Sequence, residues 1–391
     1  MTHSLDHECP ARVREAARRS RREKRGTALT ISNPKRFGAV ASLAVAALAL
    51  TACGQAPAPA STSGAPAGAE DFTACMVSDQ GGFDDKSFNE LSHDGLVEAE
   101  STLGIKILEA ESKSADDFEP NIDAMVSQGC NIIIPVGFML ADATEAAAKA
   151  NPEIDFAIVD YDAITAENVL GLNYDTAQAA FLAGYAAAGS SKTGVVATYG
   201  GANIPTVTIF MDGFANGVKY YNEQKGKDVK VLGWDVANPG AGSFVGDFEN
   251  QTAAQQITEG FLAQNADIIL PVGGPLYQGG AEAIKASGKE AFIIGVDSDL
   301  AARDAEYADI VMTSITKSMD KSVLEAITQS VNGEFAGGTY TGTLENDGVG
   351  LAEFGAFESR LPAGMTEELD QIREDIISGK ITDLSPSSPK A

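Results

Sequence analysis

Histidine, tryptophan and positive charge are scarce in this 391-residue chain. Its three histidines are His3, His7 and His93, and it has one tryptophan. With His93 the one histidine beyond residue 52, no histidine-based metal spacing can be assembled there, and a Ser-His-Asp set would have His93 alone to draw on. Lys and Arg number 28 against 55 Asp and Glu, a formal charge of −27. The deficit deepens along the chain. Residues 1–52 hold ten basic and four acidic side chains, leaving 18 basic against 51 acidic beyond them. Such a surface repels phosphate backbones and anionic lipid, so nucleic acid is excluded as a partner. Its ordinary role is solubility. The uncharged apolar run at 37–50 is shorter than the roughly twenty residues a membrane-spanning helix needs.

That run has the length of a signal-peptide core and follows a basic cluster at 18–25 with Lys35 and Arg36. It ends in Leu50-Thr51-Ala52-Cys53-Gly54, which resembles the lipobox of bacterial lipoproteins. The resemblance implies cleavage before Cys53 and a diacylglycerol on its thiol, hence a protein lipid-anchored at the extracellular face of the cell membrane. Residues 1–52 then form a lipoprotein signal peptide with a basic extension. Residues 53–70, rich in Ala, Pro, Ser and Gly, form a flexible tether.

Of four cysteines, Cys9 lies in the precursor segment and Cys53 takes the lipid. Cys75 and Cys130 remain, one in an apolar strand-like run and one directly before another. An even pair in an exported domain favours a disulfide, with two buried free thiols as the alternative.

The body of the chain is duplicated. Gln128-Gly129-Cys130-Asn131-Ile132-Ile133-Ile134-Pro135-Val136-Gly137 matches Gln264-Asn265-Ala266-Asp267-Ile268-Ile269-Leu270-Pro271-Val272-Gly273, at an offset of 136 residues. Strand, helix and strand recur in the same order in both copies. Apolar runs of about five residues alternate with helical stretches, as in parallel β/α units. The fold class is therefore α/β, with two lobes, each a doubly wound and mostly parallel sheet. The strand-like run at 310–315 is read as returning to the first lobe. This gives an N-terminal lobe of 71–175 plus 310–336 and a C-terminal lobe of 176–309 plus 337–385.

Asp79, Gly137, Asp160, Gly201, Gly273 and Asp297 each follow or end an apolar run. Ligands of open α/β sheets bind at such strand ends, and two facing lobes make a cleft there. The loop Asp79-Gln80-Gly81-Gly82-Phe83-Asp84-Asp85-Lys86-Ser87-Phe88-Asn89 joins a strand to a helix and is rich in glycine and carboxylate. Asp84 and Asp85 are read as caps of that helix. By helical position alone, Phe88 and Phe210 are as well suited to a core as to a ligand.

The loop also resembles the opening motif of the basic membrane lipoprotein family. These are substrate-binding lipoproteins of ABC importers, and they include purine nucleoside receptors. Phe181-Leu182-Ala183-Gly184-Tyr185, Gly213-Phe214, Ile294-Gly295-Val296-Asp297 with Asp299, and Thr313-Ser314-Ile315-Thr316-Lys317 continue the resemblance in order. It implies a type I periplasmic-binding-protein fold with three hinge crossings, no enzymatic activity, no cofactor or metal, and a monomer that delivers its cargo to an ABC permease. It also implies roles. Asp79 and Asn89 would bond a purine base, and Phe88 and Phe210 would sandwich it. Asp297, helped by Lys317, would grip the ribose, and Asp160 and Gly273 would line the same cleft. The residue types suit a flat base, a polar edge and a diol. Phosphate is disfavoured, because the first loop sets one lysine against three carboxylates. Leu300 and Pro275 depart from the family pattern near the expected sugar side. They leave open a receptor for a sugar or other small polar metabolite. An extracellular nucleoside hydrolase is a third reading, resting only on the aspartate-rich cleft.

Overall fold

The computed structural model describes residues 69–390. The expected signal segment, Cys53 and nearly all of the expected tether lie outside the described residues. No helix among the described residues is long and apolar enough to cross a membrane.

Two six-stranded sheets carry the fold. The first contains β1 (Thr73–Ser78), β2 (Lys106–Ala110), β3 (Ile132–Val136), β4 (Asp155–Val159) and β5 (Val169–Tyr174). The second contains β6 (Val195–Gly200), β7 (Lys230–Leu232), β8 (Ile268–Val272), β9 (Phe292–Asp297) and β10 (Val311–Lys317). β11 (Gly338–Gly342) extends the first sheet beside β5, and β12 (Val349–Leu351) extends the second beside β10. Every pairing is parallel except β10 with β12. The first sheet runs β11-β5-β4-β3-β1-β2 and the second β12-β10-β9-β8-β6-β7, the same order twice.

Strand composition follows position. β3 and β8 lie inside their sheets under helices on both faces, so all five residues of each are buried and apolar. β2 is an edge strand and has no fully buried residue. Crossover helices join the parallel strands: α1 (Phe88–Leu103), α2 (Phe118–Ser127) and α3 (Ala141–Ala150) in the first lobe. α4 (Thr176–Ser190), α5 (Pro205–Lys225), α6 (Gln251–Ala263), α7 (Leu276–Ser287) and the short α8 (Leu300–Arg303) serve the second. α4 is buried on nearly every side. It packs against α5 so closely that a β-carbon on Gly184 would lie 2.1 Å from Phe214 O, and one on Gly217 the same distance from Phe181 O. Only glycine permits that approach, and it holds α5 firmly where its N-terminal turns meet the cleft.

The chain passes between the lobes three times: from β5 into α4, from β10 into α9 (Met319–Val331), and from β11 to β12. The expected boundaries need correction here. The run at 310–315 does not return to the first lobe, because β10 pairs with β9 in the second sheet. The return comes after Lys317, through α9, which packs on α1. β11, assigned by sequence to the C-terminal lobe, pairs with β5 in the first. An apolar run advertises a buried strand but not its neighbour. The duplication, carried one strand further, supplies it: β10 is the second-lobe counterpart of β5. α10 (Met365–Ile377) packs against α4 in the second lobe.

Cys75 on β1 and Cys130, just before β3, form a disulfide between neighbouring strands, with Cα atoms 6.0 Å apart. Both are buried.

Candidate functional site

The loop after β1 is built around a helix cap. Asp85 accepts hydrogen bonds from the backbone N–H groups of Ser87, Glu90 and Asn89 at 2.9, 3.1 and 3.0 Å. These are donors that the first turn of α1 leaves unpaired. Asp84 is exposed, so only one of the two expected caps forms. Asp85 is buried, and that burial pushes its carboxyl up to about 6 despite the three backbone donors. The cap aims Asn89, at the start of α1, toward the end of β1. There Asn89 Nδ2 donates to Asp79 Oδ1 at 2.9 Å. Burial holds the Asp79 carboxyl well above its ordinary value, against the pull of the Asn89 bond. Asp85, Asp160 and Asp297 add to the rise. The Asp79 carboxylate also lies against Gly137, where a β-carbon would fall 2.3 Å from Oδ2. That is why the end of β3 must be glycine.

The ends of β4 and β9 meet across the cleft. Asp160 and Asp297 both have positive φ, 63° and 68°, a strained conformation for a non-glycine residue. Lys317, the last residue of β10, lies between them. Its Nζ donates to Asp160 Oδ2 at 2.7 Å and lies 3.5 Å from Asp297 Oδ1. All three are buried. Burial opposes the lysine charge, but Asp160 and Asp297 together hold its pKa above the ordinary value. The same ammonium sits 5.0 Å from the Phe88 ring centroid and 5.3 Å from that of Phe210. It ties both aromatic rings to the acid pair.

The lobes are also joined beside this triad. Ser87 Oγ reaches Val296 O and Asp297 Oδ2 at 3.1 and 3.0 Å, and Ser298 Oγ donates to Lys86 O at 2.8 Å. Arg303 of α8 pairs with Glu90 and Asp94 of α1.

Between the lobes lies a cavity. Asp79, Phe88, Asn89, Asp160, Phe210, Gly273, Asp297 and Lys317, the eight ligand residues expected from sequence, all line it. Phe88 is half-buried and Phe210 fully buried, yet both face this one space. Four carboxyls, counting Asp85, face the single ammonium of Lys317. The cavity therefore suits a ligand that offers hydrogen-bond donors and carries no negative charge. No metal-binding group of three or more His, Cys, Asp or Glu occurs among the described residues.

Sequence reasoning missed Phe138, Met139, Ile204, Val207 and Phe248, which also line the cavity. Phe138 directly follows the strand-end Gly137, so the strand end itself was the signal. Phe248 lies in an irregular loop with no periodicity. Its trace is indirect: β-carbons on Gly201 and Gly273 would fall 2.5 and 2.9 Å from its ring. Those glycines make room for an aromatic wall, and Gly201 itself does not line the cavity. Leu300 and Pro275 do not line it either. Leu300 is packed in the second lobe's apolar core, and Pro275 precedes the first turn of α7.

Residues 72–382 match the family described as ABC transporter substrate-binding protein, PnrA-like. The chain is 30% identical over 365 residues to the ABC transporter nucleoside-binding protein BmpA of Lactococcus lactis, covering 89% of this chain and 98% of that one. It is 30% identical over 319 residues to basic membrane protein A of Borreliella burgdorferi, covering 80% of this chain and 87% of that protein. Among solved structures, an ABC transporter solute-binding protein from Aeropyrum pernix superposes with a TM-score of 0.69 at 25% identity. That match covers 80% of this chain and 92% of the other.

Proposed function

The chain belongs to the PnrA-like family of ABC transporter substrate-binding proteins, and from that premise we propose that its cargo is a purine nucleoside. The observation that carries this reading is the single cavity in which two phenyl rings, a polar pair and a buried acid–lysine triad converge. Phe88 and Phe210 supply apolar faces for a base, where stacking on an aromatic contributes roughly 1–3 kcal/mol. Asp79 and Asn89 supply a hydrogen-bonding edge. Asp160 and Asp297 supply acceptors for a vicinal diol, with Lys317 holding both in place. Four carboxyls against one ammonium disfavour a phosphate, so the cargo is a nucleoside and not a nucleotide. The Lactococcus relative is named a nucleoside-binding protein, which supports the same class.

The sugar reading drew on Leu300 and Pro275, and neither lines the cavity. The hydrolase reading gives way to the family, whose members bind substrates for transport. The partners are then an ABC permease and the membrane, which Cys53 would reach through its lipid at the extracellular face. The protein acts as a monomer that carries one ligand between its lobes. Adenosine, inosine and guanosine should each raise the melting temperature of the purified protein by linkage. If none does at millimolar concentration while a pentose or hexose does, the nucleoside assignment is wrong.

A further inference from the structure

The chain beyond α10 is fastened back onto the hinge. Leu384 is buried in the core, and its carbonyl accepts from Asn216 Nδ2 of α5 at 2.8 Å. Ser385 Oγ donates to Asp212 Oδ2 at 2.6 Å, and Ser388 Oγ donates to Asp175 Oδ1 at 2.8 Å. Between them Ser385-Pro386-Ser387-Ser388 forms a turn, closed by Ser388 N on Ser385 O at 3.3 Å, with proline at the position its fixed φ suits. The two serine bonds end on different parts of the fold. Asp212 is a buried residue of α5, two places after Phe210, and it also accepts from Trp234 Nε1. Asp175 stands at the crossing from β5 into α4, and its N–H donates to Gly342 O of β11. Gln178 Nε2 donates to Asp175 Oδ2, while Gln178 Oε1 accepts from Leu344 N on the crossing from β11 to β12. The segment thus ties α5 to the point where two hinge crossings meet.

The same segment walls a second pocket, across which residues 386–390 face Tyr161, Asp162 and Asn173 of the first lobe. Phe138, Asp160, Thr206 and Lys317 line both this pocket and the ligand cavity. The Asp160–Lys317 pair therefore has a face on each space. With the segment in place the two are only 6% and 4% exposed. Charges so placed attract strongly because water is kept from them. The family match ends at residue 382, before this wall begins. We propose that residues 385–390 are a strap of the ligand site. They hold the N-terminal half of α5, with Phe210, against the hinge, and they shut water off from the Asp160–Lys317 pair on its second face. Ser385 and Ser388 are positioning residues that act through Asp212 and Asp175. Without the strap, water reaches the pair, the clamp loosens and cargo leaves faster. The effect on cargo rests on the purine-nucleoside reading above; the shielding of the pair does not.

The test uses a variant that stops at Leu384, keeping that core anchor, and an otherwise intact Ser385→Ala/Ser388→Ala protein. Both are acetylated beside wild type with N-hydroxysuccinimidyl acetate at one pH, and the rate at each lysine is read by mass spectrometry. Lys317 should react at least ~tenfold faster in the truncated protein, and by a smaller factor in the double variant, since a shielded group reacts only through local opening. Lys149, exposed beside Glu145, should react at one rate in all three. A segment that only added stability would lower the melting temperature without singling out Lys317. A Lys317 rate within about twofold of wild type in the truncated protein overturns the strap. If that protein does not fold, the double variant decides on the same ratio of Lys317 to Lys149. Inosine should also leave the truncated protein at least about threefold faster in a stopped-flow displacement. Unchanged release overturns the strap's hold on the cargo. Inosine binding to none of the three overturns the nucleoside reading, and the labelling rates still decide the strap.

Discussion

Asp160 and Asp297 occupy the same place in the two lobes and are the same residue. Asp79 and Gly201 also occupy the same place and are not. The equivalence is fixed by hydrogen bonds: Asp79 N donates to Val136 O, and Gly201 N donates to Val272 O, the two acceptors being 136 residues apart in the repeat. Where the lobes agree, both acids grip one lysine at the hinge. Where they differ, the first lobe offers an acid and an amide, while the second offers glycine with the Phe248 ring behind it. A duplicated scaffold has thus kept its symmetric acid pair and differs in what else it brings to the cavity. In the proposed function the first lobe would read the polar edge of the ligand. The second supplies most of the apolar wall, through Ile204, Val207, Phe210 and Phe248.

The largest effect should come from the shared element. Lys317→Met leaves Asp160 and Asp297 buried, close and unpaired, and should cost about 3–5 kcal/mol of stability in denaturant unfolding. A loss under about 1 kcal/mol would mean that the acid pair does not depend on the lysine. Next comes the disulfide, present in one lobe only. Cys75 and Cys130 correspond to Ala197 and Ala266 in the second lobe, by strand register and by the repeat. The double variant Cys75→Ala/Cys130→Ala makes the first lobe like the second. For a separation of 55 residues it should cost up to about 4 kcal/mol in the chain-entropy model. Unchanged melting would show that the bridge adds nothing the sheet lacks.

The two phenyl rings separate affinity from stability. Phe88→Ala, at a half-buried position, should weaken nucleoside binding by roughly 1–3 kcal/mol and leave the fold nearly unchanged. Phe210→Ala should lose both, because that ring is 2% exposed. Asp85 gives a pH signature confined to the first lobe. Its folded carboxyl titrates at about 6 against an ordinary 3.8, so the folded state holds this proton more tightly than the unfolded one. That group therefore favours folding below the ordinary value, and the contribution is lost as pH rises through about 6. Asp85→Asn cannot ionise, and the stability difference between variant and wild type should change over that window. Parallel pH profiles for the two proteins would contradict it. The smallest effect belongs to Arg303→Gln. It removes a partly exposed interlobe pairing with Glu90 and Asp94 and should speed ligand release a few-fold, less so at high salt.

Much of this was legible in the residues. The repeat at 136 residues announced two lobes, and the acids and glycines closing apolar runs marked the cleft. The eight ligand residues named from strand ends and family motifs share one cavity. What stayed hidden depended on distant neighbours. β10 and β11 are short buried runs whose sheet is set by pairing partners and not by their own composition. Phe248 sits in a loop without period, visible only through the glycines that yield to it. Leu300 and Pro275 stand close in sequence to cavity residues, but local backbone direction turns them away from the space. The orientation of the Asn89 amide is invisible in sequence, because three separate acceptors settle it.

Calorimetric titration of wild-type protein with inosine and with inosine 5′-monophosphate bears most directly on a cleft that clamps an uncharged purine between unequal lobes. Inosine should bind at a single site, with the monophosphate at least ~100-fold weaker because its charge meets four carboxyls and one ammonium. Equal affinity for the two, or no binding of either at millimolar concentration, would contradict it.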